Sequence, residues 1–347
     1  MKHILFIDLQ YRQRQILNNL EKIMKTFSGK IILVTGADGF VASHLCEHLV
    51  SKNAKVIALL RRNSGGIFKN LNEIKKSVKI KWGDTQDLSL LSETTKNVDI
   101  IYHLAAQSHV GHSLHNPYET ITNDIVSTLN VVEAARKNDV KRIIHAGSSE
   151  IYGDPKYVPI DTKHPLQPRS PYAAAKASAE NILESYFHTY GLPVVMSRFF
   201  NIFGPRQGLD QAIPKFILQA LNEKNITIYG DGKQTRDYTY VDDAVNAYSK
   251  LGLTPNLEGK VMNFGTGKEI QIRKLAKLII ELCNSNSKLK FSNNLRSGET
   301  PRLLCNSNIA KKITKWKPTV SFEDGVKRTI EYYKDKTHLI DNIPYML

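Results

Sequence analysis

Apolar residues along this chain switch between two spacings. Short β-branched runs recur at 30–35 (KIILVT), 55–60, 78–82, 98–104 and 142–146. Runs of this length, bounded by turn residues, predict buried strands. Between them the apolar positions shift to helical spacing, over 40–49, around 130–136 and past Ser170. Strands alternating with helices predict a parallel sheet covered on both faces. Ligands of such sheets gather beyond the carboxyl ends of the strands. Further on, helical patterns at 211–223, 242–251, 272–282 and 322–333, with a strand at 261–264, supply a second lobe. Ahead of the first strand, Ile16, Leu17, Leu20, Ile23, Met24 and Phe27 form one stripe. Residues 1–28 therefore read as an extra amphipathic helix that packs on the body or on a second subunit.

Composition narrows the class. With 347 residues the chain is long enough for two lobes, and its formal net charge of +15 suits an anionic partner such as a nucleotide. The same charge is equally explained by lysines spread over solvated faces. No basic tail or aromatic-interleaved Lys/Arg patch appears, which argues against nucleic acid as the partner. Cys46, Cys283 and Cys305 stand at no metal-ligand spacing, so no metal is expected and a reduced, cytoplasmic compartment is. No apolar run approaches the ~18 residues of a membrane span. The apolar start at His3 to Ile7 is interrupted by Asp8 and lacks a cleavage pattern.

The chemistry sits at the strand ends. Gly36-Ala37-Asp38-Gly39-Phe40-Val41-Ala42 joins the first strand to its helix, the context in which a glycine turn seats a dinucleotide diphosphate on a helix N-terminus. The second strand ends in Leu60-Arg61-Arg62 without a carboxylate, so NADP is expected over NAD, since guanidiniums match a 2′-phosphate. After the third strand, Asp84 is placed to accept from an adenine amine, and Asp87 to cap a helix. Leu104, Ala105 and Ala106 leave room for a flat ring. Ser148, Ser149 and Glu150 end the fifth strand, in the expected cleft. Of four Tyr-x-x-x-Lys pairs, those at Tyr152 and Tyr229 span turn residues and that at Tyr332 lies on a charged helix. Only Tyr172/Lys176 opens a helix between strand-like runs. There i and i+4 share a face, and an ammonium beside a phenol favours the phenolate.

Six ordered motifs carry a resemblance: TGADGFVAS (35–43), HLAAQ (103–107), GSSEIYG (147–153), SPYAAAK (170–176), RFFNIFGPRQ (198–207) and GDGKQTRDYTYVDD (230–243). Together they resemble the extended short-chain dehydrogenase/reductase family, and within it the nucleotide-sugar epimerases, dehydratases and decarboxylases. The resemblance implies an α/β fold: a Rossmann-type doubly wound sheet over about 29–200, a smaller α/β substrate lobe over 201–347, and a homodimer. It implies that Tyr172 is the base at the sugar 4-hydroxyl, that Lys176 binds the nicotinamide ribose and lowers the Tyr172 pKa, and that Ser148 holds the 4-oxygen. Asn201, Arg206, Arg236 and Arg302 would bind the substrate diphosphate of a nucleotide sugar. Glu150 stands where 4,6-dehydratases of the family carry their base and where some decarboxylases also carry Glu, whereas 4-epimerases usually have a small or neutral residue. Ser149 replaces the Asp of dTDP-glucose dehydratases, and the Ser-Glu pair is more like the GDP-mannose type. Glu299 stands where the family usually has Asp.

Overall fold

The computed structural model describes residues 26–61, 70–108, 110–292 and 300–342. The helix expected over 1–28 lies outside these residues but for its last three, of which Phe27 is buried. Arg62 and Glu299 also lie outside them.

The strands are β1 (Ile31–Thr35), β2 (Lys55–Leu60), β3 (Val78–Trp82), β4 (Ile100–His103), β5 (Arg142–Ser148), β6 (Val194–Phe199), β7 (Ile202–Phe203), β8 (Ile226–Tyr229), β9 (Thr235–Asp237), β10 (Thr239–Tyr240), β11 (Lys260–Phe264), β12 (Glu269–Gln271), β13 (Leu289–Ser292) and β14 (Arg302–Leu303). The helices are α1 (Phe40–Ser51), α2 (Leu88–Thr94), α3 (Val110–His115), α4 (Pro117–Lys137), α5 (Pro171–Tyr190), α6 (Ala212–Leu221), α7 (Val241–Leu253), α8 (Ile272–Leu282), α9 (Asn308–Thr314) and α10 (Phe322–Lys334). All five apolar runs read as strands are strands. Seven strands form one parallel sheet in the order β11-β6-β5-β4-β1-β2-β3.

Both faces of the sheet are covered, and the alternation of side chains along a strand shows how. Ile32, Val34, Val56 and Ala58 pack with Leu45 and Leu49 of α1 and Ala244 and Tyr248 of α7. Their neighbours Leu33, Ile57 and Leu59 point the other way, onto Val131 and Ala135 of α4 and Leu183 of α5. Strands buried on two sides need continuous apolar runs, which is why they were legible as such. The chain runs outward from β1 to β3 and then crosses back to β4 on the other side of β1. That reversal opens a crevice at the carboxyl ends of β1 and β4, where such sheets bind ligands.

The remaining elements form smaller layers beside those strand ends. The order β12-β9-β14 makes a three-stranded sheet, and β8 pairs with β13. The segments α7 and β11 return to the large unit, where β11 extends the sheet beside β6. No described helix is long and apolar enough to cross a membrane.

Candidate active site

The crevice holds a cavity of about 440 Å³, and the turn from β1 to α1 forms one end of it. Gly36 has φ +64°, and a Cβ there would sit 2.9 Å from Ala105 Cα. Only glycine lets this turn approach the end of β4 so closely. Gly39 occupies the N-cap of α1 with no side chain capping the helix. The first amides of α1 are thus left for a ligand, and Asp38, Phe40 and Val41 line the cavity there. These residues fit a dinucleotide diphosphate.

Toward the sheet edge, Arg61 lines the cavity, with its guanidinium 3.8 Å from the Asp84 carboxylate. Asp84 also accepts the Gln86 amide at 2.9 Å, so it turns the chain back as well as facing Arg61. Asp87 caps α2, accepting from the Ser89 and Leu90 amides at 2.9 and 3.0 Å. Toward the middle, Leu104, Ala105 and Ala106 line the wall, and Thr35 Oγ1 accepts the Ala105 amide at 3.0 Å.

At the far end the chemistry-bearing side chains converge. Ser170 caps α5, accepting the Ala173 amide at 3.1 Å, and Pro171 pre-sets the first turn. Tyr172 and Lys176 then lie one turn apart on the buried face of α5, and both line the cavity with Ser148. The Ser148 hydroxyl hydrogen-bonds the Tyr172 phenol. Ser149 and Glu150 follow on a 3-10 turn, Ser149 buried and Glu150 half-buried beside the cavity rather than in its wall.

The electrostatics differ from expectation at one point. The Tyr172 phenol is pushed well above its ordinary value, chiefly by burial and further by the charges of Asp124 and Glu150; only the Ser148 hydrogen bond opposes this. The lowering by Lys176 expected from sequence is not what this structure shows. Lys176 Nζ instead donates to the Ala146 carbonyl at 3.1 Å and stands 3.9 Å from Asp124 Oδ2. Burial lowers the Lys176 pKa, while Asp124 and Glu180 hold it up.

Behind the pair lies a buried network. Arg198 holds the Glu180 carboxylate with Nε at 2.9 Å and Nη2 at 2.6 Å, and its Nη1 donates to Tyr152 Oη at 2.8 Å. Tyr152 in turn donates to Asn263 at 2.7 Å. Arg198 thereby ties α5 to the turn that carries Glu150.

The residues expected at the substrate diphosphate are more scattered. Asn201 follows β6, its Oδ1 buried without a hydrogen-bond partner. Arg236 of β9 and Arg302 of β14 lie on paired strands, where Arg302 Nε bonds Glu269 at 2.9 and 3.0 Å. Arg206 is turned toward α1, with Nη2 on Glu47 at 2.6 Å and Nη1 on Ser43 at 3.3 Å. None of the four lines the cavity.

Asp124 was absent from the sequence reading although a signal was there. Thr120, Asn123, Asp124, Ser127 and Thr128 recur at helical spacing and are all buried. A polar stripe on the inner face of a helix marks a packed hydrogen-bonding surface rather than a solvated one.

A doubly wound sheet with a glycine turn that fits a dinucleotide diphosphate and a Tyr–Lys pair at the rim defines the class of nicotinamide-dependent short-chain enzymes. The family model described as GDP-mannose 4,6 dehydratase matches residues 33–329, and the chain belongs to that family. It is 35% identical over 327 residues to the human dTDP-D-glucose 4,6-dehydratase, covering 90% of this chain and 93% of that protein. It spans 48% of a trifunctional UDP-glucose 4,6-dehydratase/UDP-4-keto-6-deoxy-D-glucose 3,5-epimerase/UDP-4-keto-L-rhamnose-reductase of Arabidopsis thaliana. Among solved structures, a dTDP-glucose 4,6-dehydratase of Streptomyces venezuelae with NAD bound aligns with TM-score 0.85 at 28% identity, over 90% of this chain and all of that one. The UDP-glucuronic acid 4-epimerase of Bacillus cereus, in complex with UDP-glucuronic acid and NAD, aligns with TM-score 0.83 at 29% identity, over 88% of this chain and 99% of that one. Relatives thus include both dehydratases and epimerases of nucleotide sugars.

Proposed function

We propose that the protein is a nucleotide-sugar 4,6-dehydratase acting through a 4-keto sugar. The observation that carries this reading is Glu150, a half-buried carboxylate on the turn after β5 whose charge is felt by Tyr172. A nicotinamide cofactor, when bound, supplies the acceptor and later the donor of hydride. Tyr172 takes the proton of the sugar 4-hydroxyl, and Ser148 hydrogen-bonds the same oxygen. Once C4 is a ketone the C5 proton becomes acidic, and a positioned carboxylate can remove it. Glu150 takes that proton, and the C6 hydroxyl leaves as water. Ser149 offers no acid, so Glu150 also returns the proton to the leaving oxygen. Lys176 and the Gly36–Val41 turn hold the cofactor, and Asn201, Arg236 and Arg302, which lie outside the cavity wall, are the residues placed to meet a substrate diphosphate that extends beyond it. Arg61 favours NADP, whereas the NAD in both solved relatives favours NAD. Titrating each dinucleotide into one preparation by protein fluorescence separates them.

A 4-epimerase is the second reading, favoured by the likeness to the Bacillus cereus enzyme. The test is incubation with a panel of nucleotide sugars, following product mass. We expect loss of water, and in Glu150→Gln a fall in that loss of about 10²-fold or more. Unchanged mass with altered retention would make the protein an epimerase. Full water loss by Glu150→Gln would remove Glu150 as the base.

A further inference from the structure

Asp124 stands beside the Tyr–Lys pair and has no part in the reaction proposed above. Its side chain is 2% exposed, on the inner face of α4. One oxygen is well used: Oδ1 accepts the Gln107 amide at 2.8 Å and Asn123 Nδ2 at 3.1 Å. The other, Oδ2, is buried with no hydrogen-bond partner and stands 3.9 Å from the Lys176 ammonium. An ionised carboxylate is expensive to bury unless an opposite charge answers it, and the same holds for a buried ammonium. Each group is the other's compensation.

We propose that Asp124 is the counter-charge of Lys176, a positioning residue that keeps the ammonium charged between α4 and β5 and masks that charge from Tyr172. The proposal rests on the reading of Tyr172 and Lys176 as the working pair. A bare ammonium one turn from a phenol pulls the phenol toward ionisation, whereas an ammonium paired with a carboxylate is a near-neutral unit. Other groups facing the pair do not repeat this role. Glu180 of α5 is held by Arg198, while His103 of β4 and His145 of β5 are buried and are kept uncharged chiefly by burial. Glu150 and Ser148 face Tyr172 from the turn after β5, and Tyr248 faces it from α7. Only Asp124 lies within ion-pair distance of Lys176 among the described residues.

Asp124→Asn tests this because an amide oxygen still accepts the Gln107 amide while the charge is gone. In protein labelled with ¹³C-lysine, free of cofactor and substrate, the Lys176 signal is assigned by its loss in Lys176→Arg. We expect its titration to move down by about one pH unit, the low end of the effect of an opposite charge within ~4–6 Å. In turnover, the acid limb of the kcat/KM profile should shift to lower pH by a similar amount, because the unmasked ammonium favours the phenolate. A purely structural Asp124 would lower activity evenly and shift neither curve, and an unmoved Lys176 titration overturns the proposal. If wild-type protein turns over no nucleotide sugar, the reading of the site fails, yet the lysine titration still decides the role of Asp124. Should Asp124→Asn alone not fold, Asp124→Asn with Lys176→Met, which leaves no charge to compensate, is expected to fold. Failure of that pair as well would make Asp124 a packing residue and sink the proposal.

Discussion

A phenol serves as a base only when ionised, and this structure holds Tyr172 the other way. Burial and two nearby carboxylates push its pKa up, with only Ser148 opposing. The sign for activity follows directly. Below a raised pKa the phenolate fraction climbs tenfold per pH unit, so kcat/KM of the wild-type enzyme should rise from neutral toward alkaline pH. In Tyr172→Phe the rise should vanish and turnover should fall by about 10²–10⁴-fold, the usual contribution of a positioned general base. Cofactor affinity, read by protein fluorescence, should fall far less than turnover, since the cavity keeps its other walls. A Tyr172→Phe enzyme with near-normal rates would mean that another group takes the 4-hydroxyl proton. The sequence made Tyr172 and Lys176 visible because their relation is local, one turn of one helix. It left Asp124 hidden because its partner is supplied by another helix, at a separation no spacing rule covers.

Between elements, the connection that matters most is the buried Arg198 of β6. It joins Glu180, one turn beyond Lys176 on α5, to Tyr152, two residues beyond Glu150. Glycine at 147 makes room for this, since a Cβ there would stand 2.5 Å from Glu180 Oε1. The network fixes two pieces of the site relative to one another: the helix with the Tyr–Lys pair and the turn with the carboxylate. Removing one partner from a buried ion pair leaves an uncompensated charge and costs about 3–5 kcal/mol. Arg198→Met should therefore lower stability by that order in urea denaturation. Adding Glu180→Leu should recover part of the loss instead of deepening it. Additive losses would show that the two side chains are not energetically coupled. Turnover should suffer in both variants, because the Glu150 turn loses its anchor at Tyr152.

On the scale of the whole molecule, the large sheet was the most legible part. Its central strands β1, β2 and β4 are buried on both faces, so their apolar runs needed no partner to be recognised, and the glycine turn after the first one pointed to the crevice; the equally buried β6 carries Ser197 and Arg198 and did not stand out. The elements beyond the large sheet were less legible. β9, β12 and β14 have two or three residues each and take their form from pairing, as in Arg302 opposite Thr235. Sequence spacing likewise could not show that Arg206 pairs with Glu47 of α1, 159 residues away in sequence. Stability against acid belongs to this scale too, because it is set in the centre of the sheet. His103 and His145 lie on neighbouring strands with rings 5.5 Å apart, both fully inside. Burial, with a smaller effect from Lys176, pushes His103 down to about 3 and His145 well below its ordinary value. Unfolded chains take up these protons below about pH 6.5, while the folded protein does not until far lower pH. Folding stability is therefore full above that pH and falls as pH drops, by up to about 1.4 kcal/mol per pH unit for each histidine. His145 makes the cleaner test, since neither ring nitrogen has a hydrogen-bond partner to lose. His145→Phe should flatten the acid loss measured by urea denaturation at a series of pH values, by one proton's worth. An unchanged slope would mean that His145 is already protonated in the folded sheet.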